Sequence, residues 1–108
     1  MKKTIKLNLK QQSQVIEAME HYKRALKGMN QKRFLVILEK VKAKETQFDS
    51  EEMIYIVQAL RSYSKLQFIY QEDTTSLDLR KLADRIEKER IEFQQQHNPL
   101  NRLIANAH

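Results

Sequence analysis

Across 108 residues this chain contains one glycine, Gly28, and one proline, Pro99. That scarcity constrains the fold more than any other feature. A β-rich domain reverses direction often and needs Gly, Pro, Asn or Asp at its reversals. Helices joined by short polar connections do not. The length suits one small domain. With 41% hydrophobic and 31% charged residues, there is enough apolar material for a core. The expected fold is therefore all-α: two helical hairpins in a four-helix bundle-like arrangement over residues 1–97. A short helical tail over 98–108 and a possible short N-terminal strand complete it.

The first helix is predicted from about Leu9 to Lys27. Val15, Met19, Tyr22, Leu26 and Met29 recur at spacings of four and three, which places them on one helical stripe. Asn8 is a cap with Gln11 as its capping-box partner, and Gly28 suits the left-handed position that closes a helix. Asn30 is read as the cap of a second helix, Gln31 to Lys44, with Phe34, Ile37, Leu38 and Val41 inside. Its run FLVIL would also suit a buried strand, but EKVKAKE after it favours helix.

The third helix has the clearest start. Asp49 and Glu52 form a capping box, Phe48 and Met53 occupy the positions of a hydrophobic staple, and Glu51 and Glu52 meet the positive end of the helix dipole. It should reach about Tyr70. Its apolar residues Met53, Ile56, Val57, Leu60, Tyr63, Leu66, Phe68 and Tyr70 spread over roughly 200° of the circumference, about twice what a surface helix needs. Such a helix is either central or packed on one side against another subunit. Thr75 or Ser76 is a candidate cap for a fourth helix, Leu77 to about Gln95, with Leu79, Leu82, Ile86 and Phe93 buried. Asp84–Lys88 and Lys88–Glu92 are i,i+4 pairs on its wet side. Asn98-Pro99 can restart a short helix that puts Leu100, Leu103 and Ile104 on one face.

Two stretches align without a gap at an offset of 41: LNLKQQSQVIEAMEHY from residue 7 and FDSEEMIYIVQALRSY from residue 48. Helical periodicity and shared cap chemistry account for much of the likeness, and duplication of a helical hairpin is the alternative. The staple is not shared, since Gln12 stands where Met53 would be matched.

The chemistry of catalysis is sparse. The absence of cysteine excludes disulfides, cysteine nucleophiles and thiolate metal sites. One glycine excludes a Gly-rich phosphate loop, and no Ser or Thr sits in a recognisable nucleophile setting. Glu17 and His21 lie four apart on one helix face, a spacing metal ligands can use. Carboxylate-bridged sites in helix bundles use Glu-x-x-His instead. Glu17 and His21 are therefore read as part of a surface ion-pair cluster in which Glu20 pairs with Arg24. Tyr22, Tyr55, Tyr63 and Tyr70 read as packing residues. No enzyme activity, cofactor or metal is expected. The opening MKKTIKLNLK is basic like a signal peptide but lacks the continuous apolar stretch that must follow. With no run of about 18 apolar residues, a soluble, cytoplasmic protein is expected.

The net charge of +6 is uneven. Residues 1–47 hold twelve Lys/Arg against four Asp/Glu, and residues 48–73 hold two against five. The basic half suits an anionic partner or is simply a solvated lysine-rich surface. TIKLNL alternates, with Ile5, Leu7 and Leu9 on one side and Thr4, Lys6 and Asn8 on the other. In a symmetric dimer such a strand could pair with its own copy. Strand, helix, Gly28-containing turn and helix over residues 3–44 resemble the ribbon-helix-helix family of DNA-binding repressors. The resemblance implies that Thr4, Lys6 and Asn8 enter the major groove and read base edges. The first helix is about one turn longer than in that family, and residues 45–108 would be an addition. Arg33, Lys40 and Lys44, near one side of the second helix, are candidate phosphate contacts.

The leading expectation is a small non-enzymatic interaction or regulatory protein that acts through protein–protein binding, as a homodimer. Its expected interface is Met53, Ile56, Leu60, Tyr63 and Tyr70 with the tail residues Leu100, Leu103 and Ile104. The alternative is a dimeric DNA-binding regulator that uses the N-terminal segment.

Overall fold

Two capping boxes set where the chain leaves short extended segments and enters helix. In this computed structural model, which describes residues 1–70 and 73–97, β1 (Lys3–Thr4) pairs antiparallel with β2 (Gln47–Phe48). Lys3 lies opposite Phe48 and Thr4 opposite Gln47. The Ile5 N–H continues the pairing by donating to the Thr46 carbonyl at 2.7 Å, and its side chain is buried. Leu7 is half-buried, but Leu9, the first residue of α1 (Leu9–Tyr22), is exposed; the expected alternation ends where the helix begins. Asn8 Oδ1 accepts from the Gln11 N–H at 2.7 Å, and Gln11 Oε1 accepts from the Asn8 N–H at 3.0 Å. At α3 (Ser50–Ile69), Asp49 and Glu52 make the same reciprocal bonds, both at 2.8 Å. Phe48 and Met53, on either side of that box, are buried as a staple requires.

Between these two starts the chain departs from its predicted boundaries. α1 ends at Tyr22 and a single 3-10 turn, Lys23–Ala25, follows it. Leu26 and Lys27 are extended, so α2 (Gly28–Lys42) begins earlier than expected. Gly28 does adopt a left-handed conformation, φ +63°, but it opens α2 instead of closing α1. A Cβ there would meet no neighbour, so the backbone angle alone favours glycine. Asn30 is inside α2 and does not cap it; its Oδ1 accepts from the Tyr55 hydroxyl at 3.4 Å. Met29, off the expected stripe, is 68% exposed. The FLVIL run is helical: Phe34, Ile37 and Leu38 are buried, while Leu35 and Val36 face outward.

The end of α2 is closed by Lys44 in the left-handed region, φ +62°. The Lys44 N–H donates to the Val41 carbonyl at 3.0 Å and the Glu45 N–H to the Lys40 carbonyl at 3.1 Å. This is a Schellman closure with lysine where glycine is usual. Gln12, which stands where α1 lacks a staple residue, donates from Nε2 to the same Val41 carbonyl at 3.0 Å. A polar tie therefore joins α1 to the end of α2.

α4 (Asp73–His97) starts a turn before its predicted cap, and Ser76 is buried within that first turn. Leu79, Leu82, Ala83 and Ile86 are buried, and Phe93 packs at the edge of the core. Asp84 lies against Arg61 across the helix pair, not beside Lys88 as expected. α3 is the central element: its most extensive packing is against α4 and its next against α1. The architecture is the expected all-α bundle of four helices, with one very short sheet among the described residues. That position accounts for the wide apolar arc of α3 as far as Tyr63. Met53, Ile56, Leu60 and Tyr63, expected on an outward interface, are buried in the chain's own core. Leu100, Leu103 and Ile104, with the expected short terminal helix, lie outside the described residues. No described helix is long and apolar enough to cross a membrane.

Candidate functional site

Several of the charged side chains singled out from the sequence are engaged within the fold. The Glu17 carboxylate accepts from the Tyr63 hydroxyl, and the His21 ring stacks on the Tyr63 ring at 4.6 Å. Burial and the Glu17 carboxylate push the Tyr63 phenol up to about 12. Glu17 and His21 thus grip α3 from α1, and the described residues contain no cluster suited to a metal ion. Glu20 pairs with Lys23 at 2.6 Å and with Lys42 at 2.7 Å, not with Arg24 as expected. Hydrogen bonds from those two ammonium groups hold its carboxyl down at about 2, and Glu20 in turn pushes Lys42 up.

The residues assigned to DNA have structural tasks. Asn8 is the α1 cap. Thr4 lies in β1, which pairs with β2 of the same chain. The Lys6 carbonyl accepts from the Arg85 guanidinium, which fastens the N-terminal segment to α4. Arg33 pairs with Glu51 at 2.5 Å. Lys40 is only 13% exposed: its Nζ lies 2.6 Å from Glu52, 3.1 Å from the Gln47 carbonyl and 4.9 Å from the centre of the Phe48 ring. That lysine locks β2 and the start of α3 onto α2. Lys44 does its work through its backbone, as described above. Of these six, the side chains of Asn8, Arg33 and Lys40 are engaged within the fold, while Thr4, Lys6 and Lys44 contribute backbone contacts and have exposed side chains.

The strongest candidate site lies elsewhere, between the end of α3 and the start of α4. Ser64 and Ser76 face each other there and are both buried. Each hydroxyl donates to the other residue's carbonyl at 2.9 Å, and the two oxygens are 3.1 Å apart. Small side chains let the two backbones approach, and the reciprocal bonds satisfy every hydroxyl so buried. Above this clamp opens a groove of 570 Å³. Arg61, Lys65 and Arg80 line it with Phe68 and Ile69. Among the described residues its one lining acid, Asp84, lies 3.5 Å from Arg61.

Apolar side chains at this end of α3 are held in water. Phe68 is 65% exposed, Ile69 70% and Tyr70 72%. Leu66, and Leu77 from α4, are partly exposed beside them in the sequence of the same two helices. Of the interface residues expected on α3, Tyr70 alone is on the surface. The sequence signal for this site was the excessive apolar arc of the third helix. Periodicity gives the direction of such an arc but not how far along it neighbouring helices extend. No family model, curated protein or solved structure matches this chain.

Proposed function

We propose that this chain is a small helical interaction protein that acts by binding another protein and not by catalysis. The observation that carries this reading is the run Phe68, Ile69 and Tyr70, exposed at the end of a helix whose earlier apolar residues Met53, Ile56, Val57 and Leu60 are all buried. Adjoining large apolar side chains in water are uncommon on a folded chain unless something covers them during function. Aromatic side chains are also the usual anchors of protein interfaces. The ionisable groups point the same way. Asp49 and Glu52 are taken up in a helix cap, and Glu17 and Glu20 are spent on Tyr63, Lys23 and Lys42. None of these is poised against a nucleophile or a second free acid, as acid–base work requires.

The reading is tested by replacing Phe68 with a photo-crosslinking phenylalanine analogue and irradiating cells that naturally make the protein. A discrete protein adduct is expected at position 68, absent when the same analogue replaces exposed Lys88 and lost when Ile69→Asp is added. Equal labelling at both positions, or none at 68, overturns it.

A further inference from the structure

The lining of the α3–α4 groove restricts the partner further, given the reading that this end of the molecule binds a protein. We propose that the groove receives an acidic amphipathic helix. The geometry supplies the two features such a helix needs. Phe68 and Ile69 line the groove and offer an apolar seat for the nonpolar stripe of such a helix. Arg61, Lys65 and Arg80 stand around it, and among the described residues the only carboxylate in the lining, Asp84, is taken by Arg61. Lys65 and Arg80 then leave the groove positive, so carboxylates flanking an apolar stripe gain both steering and orientation there.

Charge also discriminates among other occupants. A second copy docked face to face would bring Arg61, Lys65 and Arg80 against their own counterparts, which like-charge repulsion opposes. Residues 98–108 carry Arg102 and no Asp or Glu, so the chain's own C-terminal segment has the wrong sign. A nucleic-acid strand would satisfy the cations. It would gain little from Ile69, and the cations do not alternate with a row of aromatic faces as strand-binding surfaces do.

The test uses the full chain, isotope-labelled for NMR. It is titrated with a synthetic helical peptide bearing leucines at i, i+3 and i+7 and glutamates on both flanks. The same peptide with lysine flanks, and oligo-deoxythymidine, serve as the competing probes. The acidic peptide is expected to shift the amide resonances of Lys65, Ile69 and Arg80 in a saturable way and to bind at least about tenfold more tightly than the lysine version. Lys65→Glu with Arg80→Glu should reverse that order, and both residues are exposed, so folding should persist. An unchanged helical circular dichroism spectrum and melting temperature confirm that it does, and Phe68→Ser provides a second variant with the charges intact. Equal or absent binding of the two peptides overturns the proposal. So does preferential binding of the oligonucleotide, or a doubling of mass that Ile69→Asp abolishes. Crosslinking at position 68 in cells without acidic-peptide binding would sink the charge assignment alone; loss of both would sink the protein-binding reading with it.

Discussion

Lys44 and Glu20 show two kinds of residue-scale constraint. Lys44 carries a left-handed backbone that costs a non-glycine residue about 1–2 kcal/mol. Its N–H and that of Glu45 close α2. Lys44→Gly keeps both bonds and relieves the angle, while losing some stability through a more flexible unfolded chain. A net gain of about 0.5–1 kcal/mol is expected, read as a higher urea midpoint; a loss would mean that the lysine side chain contributes more than its backbone costs. Glu20 makes the pH prediction. Its carboxyl titrates at about 2 in the fold against an ordinary 4.5, so the unfolded chain binds that proton more readily. Its contribution is complete above about pH 4.5 and disappears as the pH falls through about 2. Glu20→Gln should flatten the stability curve over that window. Because the side chain is about a third exposed, added salt should shrink the difference. Denaturation midpoints from about pH 2 to about pH 6, at low and high salt, decide it, and an unaltered acid limb refutes it. The caps at Asn8 and Asp49 were legible because both partners lie three residues apart. Lys44 was not, because nothing in its identity announces a left-handed backbone.

At the scale of elements, the α3–α4 pair depends on how closely two backbones meet at Ser64 and Ser76. With each hydroxyl 2.9 Å from the opposing carbonyl, a branched side chain has no room. Ser64→Leu should cost about 1–3 kcal/mol by overpacking. Ser64→Ala should cost about 1 kcal/mol, the worth of one ordinary hydrogen bond. Chemical denaturation separates them; if the leucine variant were as mild as the alanine variant, the close approach would not be tight. Helix existence was readable here from periodicity, and so was the interior set Leu79, Leu82 and Ile86. The start of α4 was not. Ser76 has the chemistry of a cap, and only the neighbouring helix turns it into an interior clamp. The end of α1 failed for a related reason, because the stripe through Leu26 and Met29 continues past the 3-10 turn that actually stops the helix.

For the whole molecule, the question is what the broad apolar face of α3 is for. Packing against α1 and α4 uses Met53, Ile56, Leu60 and Tyr63, so those residues no longer call for a second subunit. The cations around the remaining groove oppose self-association. Light scattering is therefore expected to return the single-chain mass of 13.0 kDa, and a stable doubled mass would contradict the balance of burial and charge. Ionic assignments changed most between sequence and structure. Arg33 and Lys40 read as free cations for phosphate, yet each meets a carboxylate on or near the start of α3. The sequence by itself determined the fold class, the two cap-defined helix starts and the apolar interior. Those depend on turn residues, spacing of three and four, and partners within one helical turn. Only the tertiary structure decided which charges cancel, which strand pairs with which, and where the apolar arc of α3 runs out. Those outcomes depend on contacts between residues far apart in the chain, and no local spacing encodes them.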